Sequence, residues 1–270
     1  MYILAIETTG PKASAALLAA PDSTAAQGGQ GQAAVLLGER SSEEAKNHLR
    51  NLMPLIRQLL DECGVPKNKL THIAASVGPG SFTGIRIGVA TARALAQVLQ
   101  LPCAAVPTLE TFRYAEAAKA KPEESKASDA CRPLVCGIIN ARRGQVYGIV
   151  EDCLPGGPYM LTDVLEAIAQ KALPNGKTVR FYGDGIAAYE AQIRSYFDDL
   201  WYREAKDYFF AAPEERDQSA AAAAYAALDR IAAGKLVSFE QLLPDYMRKT
   251  EAEVKLAAGQ LPICRGPKQE

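Results

Sequence analysis

The chain has 270 residues, 48% apolar and 23% charged, with a formal net charge of −1. That composition suits a soluble globular protein long enough for two modest domains. It excludes the strong basic field that solitary nucleic-acid binding needs, so any RNA role requires a partner. No apolar run reaches the ~18 residues of a membrane span.

The first residues, MYILAIETTG, are an apolar run without a basic leader or an A-x-A-like cleavage site, and read as a buried strand over 2–6. Further strands are predicted over 14–18 and 34–37. The Gly-, Gln- and Ser-rich stretch 20–32 between them is expected to form a mobile loop tip. A helix over 41–63 carries Leu49, Leu52, Met53, Ile56, Leu59, Leu60 and Cys63 as one apolar stripe, with Leu55 off it. Pro54 removes an N–H from that helix and predicts a kink or a fresh start. A strand over 73–77 then leads through SVGPGSFTGIRIG into a helix from about 81 to 99. Hairpins followed by β-α-β imply a mixed sheet.

The glycine-rich stretch admits two uses. A strand, a tight turn and a helix start aim free N–H groups at an anion. Its G-x-G-x-x-x-G spacing, however, is one residue too long for the dinucleotide fingerprint, and no Lys-Ser/Thr pair follows for a Walker loop. Alternatively, Gly84, Gly88, Ala92 and Ala96 recur every fourth residue, a helix face that lets another backbone come close.

A second polar stretch, 118–132, precedes LVCGIINARRGQVYGIV at 134–150, which echoes YILAIETTGPKASAALL near the start. Glu7 aligns with Asn140, an offset of 140 − 7 = 133 residues, or about half the chain, so two similarly built halves are expected. A strand over 178–182 runs into Gly183-Asp184-Gly185. A late helix near 220–235 is ended by Gly234. The six cysteines form no C-x-x-C pair and suit free thiols in a reducing cytoplasm.

Taken together, AIETT at 5–9, GPGSFTGIRIG at 78–88, ARRGQVY at 141–147, GDG at 183–185 and PDYMR at 244–248 resemble the bacterial TsaB (YeaZ) family. The resemblance runs in order over most of the chain, outside the two polar stretches. It implies an α/β ASKHA fold, that of the actin, sugar-kinase and Hsp70 ATPase group, as two duplicated domains with mixed sheets. The expected division is 1–105, completed by the late helix near 218–235, then 106–217, then a C-terminal tail 236–270. The resemblance also implies a cytoplasmic, non-catalytic subunit of the complex that makes N6-threonylcarbamoyladenosine beside the anticodon of tRNAs reading ANN codons. Its implied partners are the transferase TsaD, the ATPase TsaE and, through the complex, tRNA, with a homodimer as an alternative state. It implies no cofactor required by this chain, and weak ATP or ADP binding at the complex interface.

The residues bear on that expectation. TsaD-like proteins hold a metal with histidines at i and i+4, whereas His48 is followed four positions on by Leu52 and His72 stands alone, so no metal site is expected. The first turn of each ASKHA half normally presents an aspartate to Mg²⁺ and phosphate. Here Glu7 and Asn140 stand there, which disfavours kinase chemistry and suits residues that bond their own turns. Arg142 and its neighbour Arg143 can meet a phosphate or carboxylate, or form a solvated hairpin tip. Gly183, Asp184 and Gly185 can let a nucleoside approach, or form a plain turn in which Asp184 caps the next helix. The expected docking surface comprises Leu49, Leu52, Met53, Leu55 and Ile56 with Gly84, Gly88, Ala92 and Ala96. The alternative reading is a small-molecule kinase or ATP-binding protein of the same fold.

Overall fold

The computed structural model describes residues 1–21, 34–42, 48–118 and 132–247. Most of the polar stretches 20–32 and 118–132, residues 248–270 of the expected tail, two of the six cysteines (Cys131 and Cys264) and the His48 side chain lie outside the described residues.

β1 (Tyr2–Glu7), β2 (Ser14–Ala19) and β3 (Val35–Ser41) form an antiparallel meander. α1 (His48–Glu62), β4 (His72–Gly78), α2 (Phe82–Leu99) and β5 (Cys103–Pro107) then add two strands parallel to β1. The sheet order is β3-β2-β1-β4-β5. The second half repeats this plan. β6 (Leu134–Asn140), β7 (Gln145–Val150) and β8 (Leu154–Met160) form the meander, and α4 (Leu161–Ala167) crosses to β9 (Val179–Tyr182). α5 (Gly185–Asp199) then leads to β10 (Tyr208–Phe210), giving the order β10-β9-β6-β7-β8. β6 thus occupies the place of β1, and Glu7 and Asn140 close equivalent strands. This is the duplicated α/β architecture of the ASKHA group with its mixed sheets.

Period-2 alternation decides what covers each face. Leu4 and Ile6 point to the side where α1 and α2 pack with Leu52, Ile56, Leu59, Ile85 and Val89. Ile3 and Ala5 point to the other side, where α6 (Ala220–Ala232) lays Ala223, Ala224 and Ala227 on the strands. Small side chains let that helix lie close, and Ser14 Oγ fixes its start by accepting from Ala220 N at 3.0 Å. In the second half, Ile138 and Phe181 of the sheet pack against Val164 and Leu165 of α4 and Ile193 and Phe197 of α5. The opposite face carries α3 (Thr108–Thr111) and the 3-10 turn Phe112–Tyr114, with Phe112 seated directly on Gly137.

Two local expectations change. β3 runs on to Ser41, paired with Ser14, where the sequence suggested a helix starting at 41. α1 is continuous through Pro54, whose position is exposed. Beyond Gly234, residues 236–247 form a strap. Val237 and Cys103 exchange two backbone bonds of 2.9 Å, Leu242 is fully buried, and Asp245 N donates to Val77 O at 2.8 Å. Tyr246 stacks on Phe82 with ring centroids 5.0 Å apart, and Met247 reaches the cluster of Leu109, Phe112 and Tyr147 in the second half.

Candidate functional site

The glycine-rich turn after β4 is filled by protein. Ser81 caps α2, its Oγ accepting from Gly84 N at 3.2 Å. Ser81 N in turn donates to Thr9 O at 2.8 Å. Thr8 Oγ1 donates to Gly84 O at 2.7 Å, and a Cβ on Gly84 or Gly88 would run into Thr8. A Cβ on Gly80 would meet Thr9, and one on Gly78, at φ +128°, would meet the Asp245 carbonyl. Of the two readings of this stretch, close packing is the one realised, and the backbone that approaches belongs to the β1–β2 turn.

This corrects the expected docking face. Gly84 and Gly88 are buried against the β1–β2 turn, and Ala92 and Ala96 in the core between α2 and the sheet, so no partner meets them in this conformation. Leu52 and Ile56 are likewise core residues, 1% and 2% exposed. Leu49 is 77% and Met53 48% exposed, and Leu55 is half-buried. On α2 the outward positions include Ala90, Ala94 and Val98, the last 81% exposed. The stripe that remains open on α2 is therefore offset from the one the glycines mark.

The two strand-end turns use one device. Glu7 Oε1 accepts from Thr9 N at 2.5 Å and from Thr9 Oγ1 at 2.6 Å. Asn140 Oδ1 accepts from Arg142 N at 2.8 Å. In each case a side chain closes on the backbone two residues ahead, the bonding of an Asx-type turn. Glu7 is fully buried, and desolvation raises its carboxyl above the ordinary range despite these bonds. Its second oxygen and the Ser76 hydroxyl on the neighbouring strand are buried without a well-formed partner bond.

Arg142, Gly183, Asp184 and Gly185 come together around Asn140. Asp184 starts α5 but makes no side-chain cap there, contrary to the capping reading; its Oδ1 accepts from Asn140 N at 3.0 Å and so ties β6 to the β9–α5 turn. The bareness of Gly183 and Gly185 is used against β6, since a Cβ on either would press on the Ile138 carbonyl. Burial raises the Asp184 carboxyl, and nearby Asp217 raises it further. Asp217 is itself raised by burial and eased by Lys12 of the β1–β2 turn. His72, at the start of β4, has Nδ1 2.9 Å from Thr71 Oγ1.

Sequence reasoning missed three contributors. Thr8 is the residue the α2 glycines accommodate, Gln218 buries both amide atoms unpartnered against Gly10, and Tyr246 lies on α2. Thr8 and Tyr246 carried a signal, as members of AIETT and PDYMR, whereas Gln218 carried none.

Comparison with known proteins is consistent with this architecture. Residues 39–256 match the family model described as TsaD, tRNA N6-adenosine threonylcarbamoyltransferase. The tRNA threonylcarbamoyladenosine biosynthesis protein TsaB of Bacillus subtilis is 31% identical over 78% of this chain and 83% of its own length. Its namesake from Escherichia coli is 35% identical over 38% of this chain and 40% of its own length. The solved structure of YeaZ from Pseudomonas aeruginosa superposes with a TM-score of 0.61 at 26% identity, covering 91% of this chain and 99% of that one. With a duplicated fold, the YeaZ superposition and a TsaB relative matched over most of its length all in agreement, the chain belongs to the TsaB (YeaZ) family.

Proposed function

We propose that this chain acts in tRNA threonylcarbamoyladenosine synthesis as a non-catalytic subunit. It binds and activates TsaD, with TsaE joining the assembly, for modification of the adenosine next to the anticodon in tRNAs reading ANN codons, in the cytoplasm. The observation that carries the non-catalytic reading is the pair of strand-end turns. Where the fold's enzymes present acids to Mg²⁺ and phosphate, Glu7 and Asn140 bond their own backbones. The exposed Leu49, Met53 and Val98 support a docking surface on the outer side of α1 and α2. It is smaller than the sequence suggested, because Gly84, Gly88, Ala92, Ala96, Leu52 and Ile56 are spent on the core.

The test is tRNA threonylcarbamoylation by TsaD and TsaE with and without this protein. Product that depends on the chain, together with no Mg²⁺-dependent ATP turnover by the chain alone, supports the reading. Turnover by the isolated chain favours the kinase alternative. Replacing Leu49 and Met53 by Asp is expected to weaken TsaD binding by at least about tenfold, roughly 1.4 kcal/mol, while leaving the melting temperature within about 2 °C. Undiminished binding would remove α1 from the interface.

A further inference from the structure

We propose that the Arg142–Arg143 tip of the β6–β7 hairpin is an RNA-backbone contact, two guanidinium groups that grip phosphodiester oxygens. This rests on the threonylcarbamoylation reading, which supplies the RNA.

Both arginines are exposed, and among the described residues neither guanidinium has a carboxylate within ion-pair reach. Elsewhere Arg40, Arg132, Arg180, Arg194, Arg216 and Arg230 are engaged with acids. The backbone at the tip is also unusual. Arg142 and Arg143 have φ of 66° and 55° and Gly144 has 76°, a left-handed run that hairpin turns normally give to Asn and Gly.

The tip is nevertheless firmly framed. Arg142 N is held by Asn140 Oδ1, Ala141 N donates to Gln145 O at 3.0 Å, Gln145 N to Arg142 O at 3.0 Å, and Leu161 N to Gly144 O at 3.0 Å. A turn framed by backbone bonds that carries long cationic side chains where glycine would fit better presents two guanidinium forks to solvent from a defined backbone. Such forks match the paired oxygens of a phosphate.

The surroundings favour a phosphodiester chain over a nucleoside polyphosphate. Asp184 lies at the foot of the same turn, bonded to Asn140 N, with Asp217 near it. A polyphosphate drawn in past the tip would meet these carboxyls, whereas a chain crossing the exposed tip would not. The net charge of −1 leaves no general cationic field, so binding would be local and would depend on the assembled complex.

The experiment uses the full chain assembled with TsaD, titrated with a labelled tRNA that reads an ANN codon, from about 50 to 200 mM salt. The variant is Arg142→Gly with Arg143→Gly, because glycine accepts the left-handed backbone and the fold is kept. We expect roughly 5- to 50-fold weaker tRNA binding and a log K against log salt slope smaller by about 1 to 2. The melting temperature should stay within about 2 °C. The double Lys variant should retain most of the salt slope. An unchanged slope and affinity, in a complex that still modifies tRNA, would overturn the proposal and leave the broader function standing. Loss of ATP or ADP binding with RNA binding intact would also overturn it. Absence of tRNA binding by the wild-type assembly would remove both readings together.

Discussion

At Glu7, burial acts against the charge of the carboxyl, while Thr9 N and Oγ1 give it two bonds. Desolvation is the largest influence, so the folded protein favours the protonated form more than the unfolded chain does. The sign follows from linkage. A carboxyl raised above its unfolded value of 4.5 leaves stability highest below that pH, and stability falls as pH rises from there toward the folded value. Glu7→Gln keeps an oxygen for Thr9 and offers an amide donor toward Ser76, without the charge. The variant is expected to be more stable than wild type at pH 7, on the order of 1 kcal/mol, with the advantage shrinking toward pH 4. Thermal melts between pH 4 and 8 check this. A Gln variant less stable at pH 7 would mean that the charged form is the one the turn holds. Neither this turn chemistry nor its counterpart at Asn140 was hidden in the sequence. Both were visible as a polar residue ending an apolar run, because a short side chain at a strand end has few other partners. The burial of Glu7 was not visible, since it depends on which strand lies beside β1.

Between elements, the closest fit is that of α2 to the β1–β2 turn. Gly88→Ala is expected to cost about 1–3 kcal/mol through overpacking against Thr8, even though alanine is the better helix former. Combining it with Thr8→Ala should recover part of the loss, a coupling that a double-mutant cycle on unfolding free energy will show. A Gly88→Ala chain as stable as wild type would mean that Thr8 turns aside. The four-residue recurrence of small side chains correctly announced a close backbone approach. It could not say whose backbone, because periodicity reports a face and not its neighbour. The same limit applies to α1, where Leu49, Leu52, Met53 and Ile56 share one stripe, yet Leu52 and Ile56 are buried and Leu49 is not. Leu49 sits at the start of the helix, and nothing in spacing alone marks where the sheet stops covering it. At Gly183-Asp184-Gly185 the turn was legible, but the bond from Asn140 N to Asp184 comes from a segment 44 residues away.

Over the whole molecule, the two halves are not built from two continuous stretches of chain. The echo between Glu7 and Asn140 revealed the duplication because each half repeats its hairpin locally. Less was legible of the strap, whose Val237, Leu242 and Asp245 find partners at Cys103, the first core and Val77. A chain ending at residue 218 lacks both α6 and the strap. It is expected to lose cooperative melting of the first half while the second sheet stays folded, and hydrogen exchange at β1 and β4 amides will show it. Protection of those amides in the truncated chain would refute that dependence. The same arrangement bears on how the protein is made. During synthesis the first five strands are complete by Pro107, but the alanines that cover Ile3, Ala5, Leu18 and Ala74 arrive more than a hundred residues later. The second half can therefore complete itself on the ribosome before the first, so that the part translated first is the last to close. Through that interval an apolar sheet face stands open to chaperones and to its neighbours on the polysome.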